Sequence, residues 1–213
     1  MTRLGNASLV LALTAAASLA LASGARIACA ESKDAGNGGG QLMAVLHPVN
    51  QTTGEVDNSV DLGTARFKQG KDKVDVLIQV NGVPVAGSEP ESSADGQGSY
   101  YPHGIHIHDG DACGSTKDKD DKMVPAGAAG PHFDPKKTGS HKGPEGEGHA
   151  GDLPNIRILQ DGSGVLMTAT KRLTLDQLKG RTVILHAHGD NYTDTPANGG
   201  SGGRIACGVI QAK

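Results

Sequence analysis

Tryptophan is absent from this chain of 213 residues, which has only three tyrosines and two phenylalanines. Aromatics at 2% leave no patch of interleaved basic and aromatic side chains of the kind that stacks on nucleic-acid bases. An excess of positive charge is missing too: 20 Lys and Arg face 23 Asp and Glu, for a formal net charge of −3. These absences argue against nucleic acid as a partner. They also mean that an anionic substrate would need a local basic group to approach. The apolar run Leu9 to Ala22 is too short for a transmembrane helix, so no membrane span is expected. Cysteine is scarce, with three in the whole chain.

The short apolar run fits an export leader instead. Arg3 supplies a charge near the start, and small residues follow Ala22. Ala28-Cys29-Ala30 has the small-x-small form of a cleavage site, and Ala20-Leu21-Ala22 is a rival. Residues 1–30 are therefore expected to be a signal peptide and the mature protein to be periplasmic or secreted. Cys29 offers another outcome, a lipid anchor on an exported cysteine. Arg26 and Ile27 argue against it, because a bacterial lipoprotein signal has Leu and small residues there. Loss of Arg3 and Arg26 leaves 18 of the 20 basic side chains against all 23 acidic ones. It also leaves Cys113 and Cys207, and two cysteines in an oxidising compartment most simply pair. The alternative is two buried free thiols. A bridge would close a long loop and stabilise by roughly 4–5 kcal/mol on chain entropy.

Residues 31–40 are polar and Gly-rich and predict a flexible arm. Strand-like stretches follow at Gln41 to Val49, Val60 to Gln69, Lys73 to Val80 and Ile105 to His108. Four more lie at Asn155 to Gln160, Val165 to Thr170, Thr182 to His186 and Arg204 to Gln211. Val74, Val76, Ile78 and Val80 alternate with Asp75, Leu77 and Gln79, the period of a sheet with one buried face. Val85 to Ser99 and the charged stretch Ser115 to Lys122 predict exposed loops. Leu173 to Gly180 predicts one helical turn. Short strands, long loops, few aromatics and little helix predict an all-β antiparallel sandwich or barrel over residues 41–213. Met123 to Pro154 is mostly Gly, Pro and His, with no sustained period. It is either functional or disordered, and a metal could supply the order that packing cannot.

What the chain has is histidine. Five of its nine histidines lie between Gly104 and Asp152, and another follows at His186. In GIHIHDGDAC, His106 and His108 project from one strand face, about 6.6 Å apart at the backbone, while Ile105 and Ile107 face the core. His186 ends the apolar run Val183-Ile184-Leu185 and can join them from a neighbouring strand. In GPHFDPKKTGSHKGPEGEGHAGD, His132, His141, His149 and Asp152 give three imidazoles and a carboxylate, a closed shell of the kind zinc accepts. A His-x-His pair alone is a weak signal, and a solvated loop often carries one or two histidines. Three histidines plus Asp152 beside a second cluster exceed that. The spacings suggest two metal sites that share a ligand.

At these residues the chain resembles the copper–zinc superoxide dismutases of the bacterial exported type. The matching segments are HGIHIHDGDAC (His103 to Cys113), GPHFDP (Gly130 to Pro135) and HKGPEGEGHAGDLPNI (His141 to Ile156). HAHGDNYTD (His186 to Asp194) and GGRIACGVI (Gly202 to Ile210) continue the resemblance, which is weak before Val80. It implies an eight-stranded antiparallel Greek-key β-barrel or sandwich with long metal-binding and electrostatic loops. It implies dismutation of the superoxide anion to dioxygen and hydrogen peroxide. Copper would be held by His106, His108, His132 and His186, and zinc by His132, His141, His149 and Asp152, with His132 shared. Four imidazoles suit copper in either oxidation state, and the carboxylate site suits redox-silent zinc. Arg204 resembles the family's anion guide beside copper, helped by nearby lysines such as Lys136 or Lys142, and His132 would supply a proton. Asp190 resembles an aspartate that links the histidines of the two sites, and His103 a structural histidine bonded to loop backbone. A Cys113–Cys207 disulfide would tie the copper-ligand segment to the strand bearing Arg204.

Some positions depart from that pattern. Ile105 stands where the family usually has an aromatic residue. His188 stands where glycine is usual, and is a competing ligand, a group behind the ligands or an exposed loop histidine. Val85 to Ser99 is longer than the corresponding family loop, and His47 is expected to be an ordinary strand residue. The rival function is an exported copper- and zinc-binding or copper-delivery protein on the same fold. Arg204 speaks against it, since storage needs no cation for a substrate. A sandwich with a zinc-ordered loop alone would not need the four copper-type histidines. Oligomeric state is open, a homodimer included.

Overall fold

Alternating apolar side chains decide which face of each strand turns inward. The computed structural model describes residues 40–85, 87–94 and 98–213, so the expected leader, Cys29 and the arm up to residue 39 lie outside it. Along β1 (Gln41–Pro48) Leu42, Ala44 and Leu46 are buried, and along β2 (Gly63–Gln69) Ala65 and Phe67. Along β3 (Val74–Val80) Val74, Val76, Ile78 and Val80 are buried while Asp75 and Gln79 are exposed. Burial of Phe67 alone stabilises by roughly 1.5–3 kcal/mol.

The other strands are β4 (Glu91–Ser92), β5 (Ser99–His103), β6 (Ile105–His108), β7 (Thr116–Lys117), β8 (Met123–Val124) and β9 (Ile156–Ile158). After them come β10 (Gly164–Thr170), β11 (Thr182–His186), β12 (Arg204–Val209) and β13 (Gln211–Ala212). The helical turn α1 (Leu175–Leu178) is opened by Thr174. Its hydroxyl accepts the Gln177 N–H while the Gln177 side chain accepts the Thr174 N–H.

The main sheet is antiparallel, in the order β4-β5-β9-β10-β3-β2-β1-β12-β11-β6, with β13 also beside β1. That β10 returns to lie against β3 is a Greek-key crossing. The ends of this order meet, because β5 and β6 are separated only by Gly104 and form one bent strand. A Cβ at Gly104 would lie 2.7 Å from Ser201 Oγ and 3.1 Å from His106 Cε1, so the bend admits only glycine. Of the eleven segments, β5 and β6 are halves of one strand, β12 and β13 continue one another, and β4 is a two-residue addition. What remains is the eight strands the sequence predicts.

Two expected loops contain short pairings. The segment from Val85 to Ser99 holds β4, which pairs with the start of β5, and β7 pairs with β8 at the ends of the charged stretch.

Every residue of β6 and β11 is buried. The apolar residues Ile105, Ile107, Val183 and Leu185 join the barrel core. The alternate residues His106, His108, Ile184 and His186 face the other way and are covered by loops. Val49, Ala126, Ala129, Ile184 and Cys207 form a second apolar cluster under that cover, with Cys113 against it. The Cys113–Cys207 disulfide spans 94 residues and pins the loop after β6 to β12.

Candidate metal centre

Loop backbone zips along the strand that carries the first histidine pair. Ile107 N donates to Gly151 O at 2.9 Å, Phe133 N to Ile107 O at 2.8 Å, and Gly151 N to Phe133 O at 2.9 Å. These bonds set His132 opposite His108 and Asp152 opposite His106. β11, paired to the other edge of β6, delivers His186. His149 is held by its N–H on Ser140 O at 2.9 Å, and His141 by its N–H on Asp194 Oδ1 at 2.6 Å.

Two groups of four donor atoms converge. His106, His108, His132 and His186 form one, and His132, His141, His149 and Asp152 the other, each with ligand-capable atoms within 4.8 Å of one another. The His132 ring lies 4.2 Å from His106 and 4.8 Å from His108 on one side, and 5.2 Å from His141 and 5.4 Å from His149 on the other.

Partners fix which ring nitrogen is free. His108 Nδ1 donates to Gly130 O at 2.9 Å and His186 Nδ1 to Gly202 O at 3.2 Å, which leaves both Nε2 atoms unprotonated and facing one another at 3.4 Å. His106 Nε2 donates to Asp190 Oδ2 at 2.8 Å and His141 Nε2 to Asp190 at 2.9 Å, which leaves His106 Nδ1 open and turns His141 Nδ1 to Asp152 Oδ2. His106 Nδ1 and His149 Nδ1 are buried without a hydrogen-bond partner, while His141 Nδ1 and Asp152 Oδ2 face one another at 3.0 Å. An unpaired buried polar atom costs about 1–3 kcal/mol, so two such nitrogens on either side of a buried carboxylate call for a cation. The donors present fit the metals expected: imidazoles for copper, and imidazoles with a carboxylate for zinc.

Electrostatics follow from burial and the two aspartates. Burial holds His108 and His186 well below the ordinary imidazole range, and it pushes His132 down to about 4 against the opposing bond from Asp152. Burial also opposes charge on His141, but bonds to Asp152 and Asp190 outweigh it and raise this residue to about 9. Asp152 and Asp190 are held well below the usual carboxylate range by their histidines, despite burial. Asp190 is itself oriented by Asn155 Oδ1, which accepts its N–H at 2.9 Å, and by the Tyr192 N–H, which it accepts at 2.7 Å. Gly199 (φ +72°) is packed against it, where a Cβ would collide with the carboxylate.

Arg204 is half-buried beside this centre. Its guanidinium donates to Ala126 O and Gly130 O, both at 2.7 Å, and so shares the Gly130 carbonyl with His108. His103 is buried and donates from Nδ1 to His186 O at 2.7 Å. His188 is exposed and belongs to neither donor group. His47 donates to Val60 O at 2.9 Å from its place in β1, away from the centre. Lys136 is exposed, and Lys142 is paired with Asp194 at 3.0 Å, so Lys142 is not a free cation for an incoming anion.

Sequence reasoning passed over Arg172, Asn155 and Tyr192. Their contacts run to or from backbone atoms, and such bonds leave no spacing or motif to find.

The curled sheet and its adjoining buried donor sets define a β-barrel protein built around a two-metal centre. The profile described as copper/zinc superoxide dismutase matches residues 62–210. A copper–zinc superoxide dismutase of Deinococcus radiodurans is 38% identical over 156 residues, covering 70% of this chain and 77% of that protein. One from Photobacterium leiognathi is 47% identical over 111 residues, covering 51% of this chain but 64% of that relative. The solved copper–zinc superoxide dismutase of Brucella abortus superposes with a TM-score of 0.67 at 31% identity, over 80% of this chain and 99% of that one. The chain belongs to the copper/zinc superoxide dismutase family. Among the described residues no helix is long and apolar enough to cross a membrane.

Proposed function

We propose that residues 41–213 form a superoxide dismutase that works outside the cytoplasm. His106, His108, His132 and His186 would hold copper, and His132, His141, His149 and Asp152 would hold zinc. The observation that carries this is the set of unpaired buried donors converging on both sides of His132, with Arg204 alongside. Bound copper supplies the one-electron couple by which two superoxide anions and two protons become dioxygen and hydrogen peroxide.

The chain's own groups do the rest. Arg204 keeps its charge and offsets the acidic net charge for the incoming anion. Its two bonds to backbone carbonyls fix where that charge stands. His132 Nδ1 lies on the zinc side, 2.9 Å from Asp152, so its opposite nitrogen, Nε2, is the one that would give and recover a proton. Asp190 holds the rings of His106 and His141 in place. Export is supported by the leader-like sequence of residues 1–30 and by the Cys113–Cys207 disulfide, a bond that persists in oxidising compartments.

The test is superoxide consumption by the metal-loaded protein, with copper and zinc measured on the same sample. About one of each per chain and rapid consumption are expected. Uptake of zinc alone after copper loading would sink the proposal. Tight binding of both metals without consumption would favour a storage or delivery protein. Arg204→Glu should slow consumption strongly with both metals retained, and an unchanged rate would remove Arg204 from the reaction.

A further inference from the structure

Arg172 lies in the turn between β10 and α1, its N–H bonded to Thr170 Oγ1 at 3.1 Å. Its side chain reaches into the loop that carries His141, His149 and Asp152. Nη1 donates to the carbonyls of Gly143 and Pro144, each at 2.9 Å, and Nη2 to those of Gly148 at 2.7 Å and His149 at 2.5 Å. Each of the four terminal N–H bonds is used once, and every acceptor is main chain. Glu145 and Glu147 stand in the same loop, yet both are exposed and Arg172 pairs with neither.

This choice of partners has a consequence for the loop. Residues 143–149 contain no strand or helix, so their carbonyls have no ladder to satisfy them. Glycines at 143, 146 and 148 give the backbone no preference of its own. The rigid planar fork of one arginine supplies what secondary structure would otherwise supply. The His149 main chain is thereby held at both ends, its N–H on Ser140 and its carbonyl on Arg172, while Nδ1 is left for a metal.

We propose that Arg172 is the positioning residue of this loop. It holds residues 143–149 in the metal-binding conformation before metal arrives, and so sets the zinc affinity of the centre. The affinity half of this rests on the assignment of His141, His149 and Asp152 to zinc.

Two measurements on the full chain test it, with Arg172→Ala and Arg172→Lys. In the metal-free protein, amide hydrogen exchange at 143–149 should rise at least about tenfold in Arg172→Ala, with β1, β2 and β3 unchanged. The zinc dissociation constant, from chelator competition, should weaken about 10–100-fold, with Arg172→Lys in between. Millimolar ethylguanidinium, but not potassium chloride, should restore both values in Arg172→Ala. Unchanged exchange in the loop, or a rise spread evenly over the barrel strands, overturns the holding role. An unchanged zinc constant overturns the affinity role. Failure of the unsubstituted protein to take zinc overturns the metal assignment and the affinity half with it, while the exchange measurement, which needs no metal, still decides the holding role.

Discussion

Asp190→Asn probes the charge balance on which the metal centre depends. Asp190 accepts His106 Nε2 at 2.8 Å and His141 Nε2 at 2.9 Å. With Asp152 it overcomes the effect of burial and raises His141 to about 9. In the metal-free protein His141 is therefore a cation at neutral pH, with its Nδ1 3.0 Å from Asp152 Oδ2. A metal that takes Nδ1 must displace that proton. The apparent zinc dissociation constant should then fall about tenfold per unit between roughly pH 7 and 9 and level off above. About one proton from this residue should leave per zinc at about pH 7. The substituted amide has one acceptor for two N–H donors, and its own NH2 must face one of them. The pH at which affinity levels off should drop, and the plateau should be about 10–100-fold weaker, because one of the two rings loses the partner that fixes its tautomer. Zinc titration by calorimetry, in buffers of different ionisation enthalpy, counts the protons, and chelator competition gives the constants. A zinc affinity independent of pH between about 7 and 9 in the unsubstituted protein would refute the reasoning.

The 94-residue separation of Cys113 and Cys207 puts the contribution of their bond at about 4–5 kcal/mol by chain entropy. Denaturant unfolding with and without reductant should show a loss of that size, and a loss below about 1 kcal/mol would contradict it. Acid should also destabilise the metal-free protein. Burial keeps His108, His132 and His186 from taking protons that the unfolded chain takes, so their effect removes stability as pH falls from about 6.5 towards about 4. His141 has the opposite sign: its stabilisation is complete below about 6.5 and is lost as pH rises through about 9. Denaturation midpoints of the metal-free protein should therefore peak near pH 6.5. A midpoint that climbs steadily from acid to alkaline pH would count against this balance.

The eight main strands are legible because their apolar residues alternate or cluster against a known face. The histidine groups are legible because the donors lie close in sequence within each motif. β5 escapes because Tyr100, Tyr101 and Pro102 show no apolar alternation. Proline is tolerated there because β4 pairs only with Ser99 and Tyr100, which leaves Pro102 bonded on one side alone. β11 is harder to orient from sequence than β6, since loops bury its outer face and Ile184 there gives no polar signal. Arg172 is invisible for a different reason: arginines are common beside turns, and nothing in its neighbours announces that its acceptors are four distant carbonyls. Lys142 shows the converse. Its place beside His141 suggests a role in guiding an anion, and only the structure reveals Asp194 as its partner.

The bend at Gly104 makes the metal centre a report on the completeness of folding. β6 is both the last strand in the order of the sheet and the strand that carries His106 and His108. Its neighbour β11 follows far along the chain. Pairings of such long sequence separation form late and slowly. Until β11 closes on β6, the first group lacks His186, however well β1, β2 and β3 have paired. Uptake at the first group should then select finished molecules from unfinished ones, so that its ion acts as a latch set after closure rather than as a nucleus around which the chain collapses.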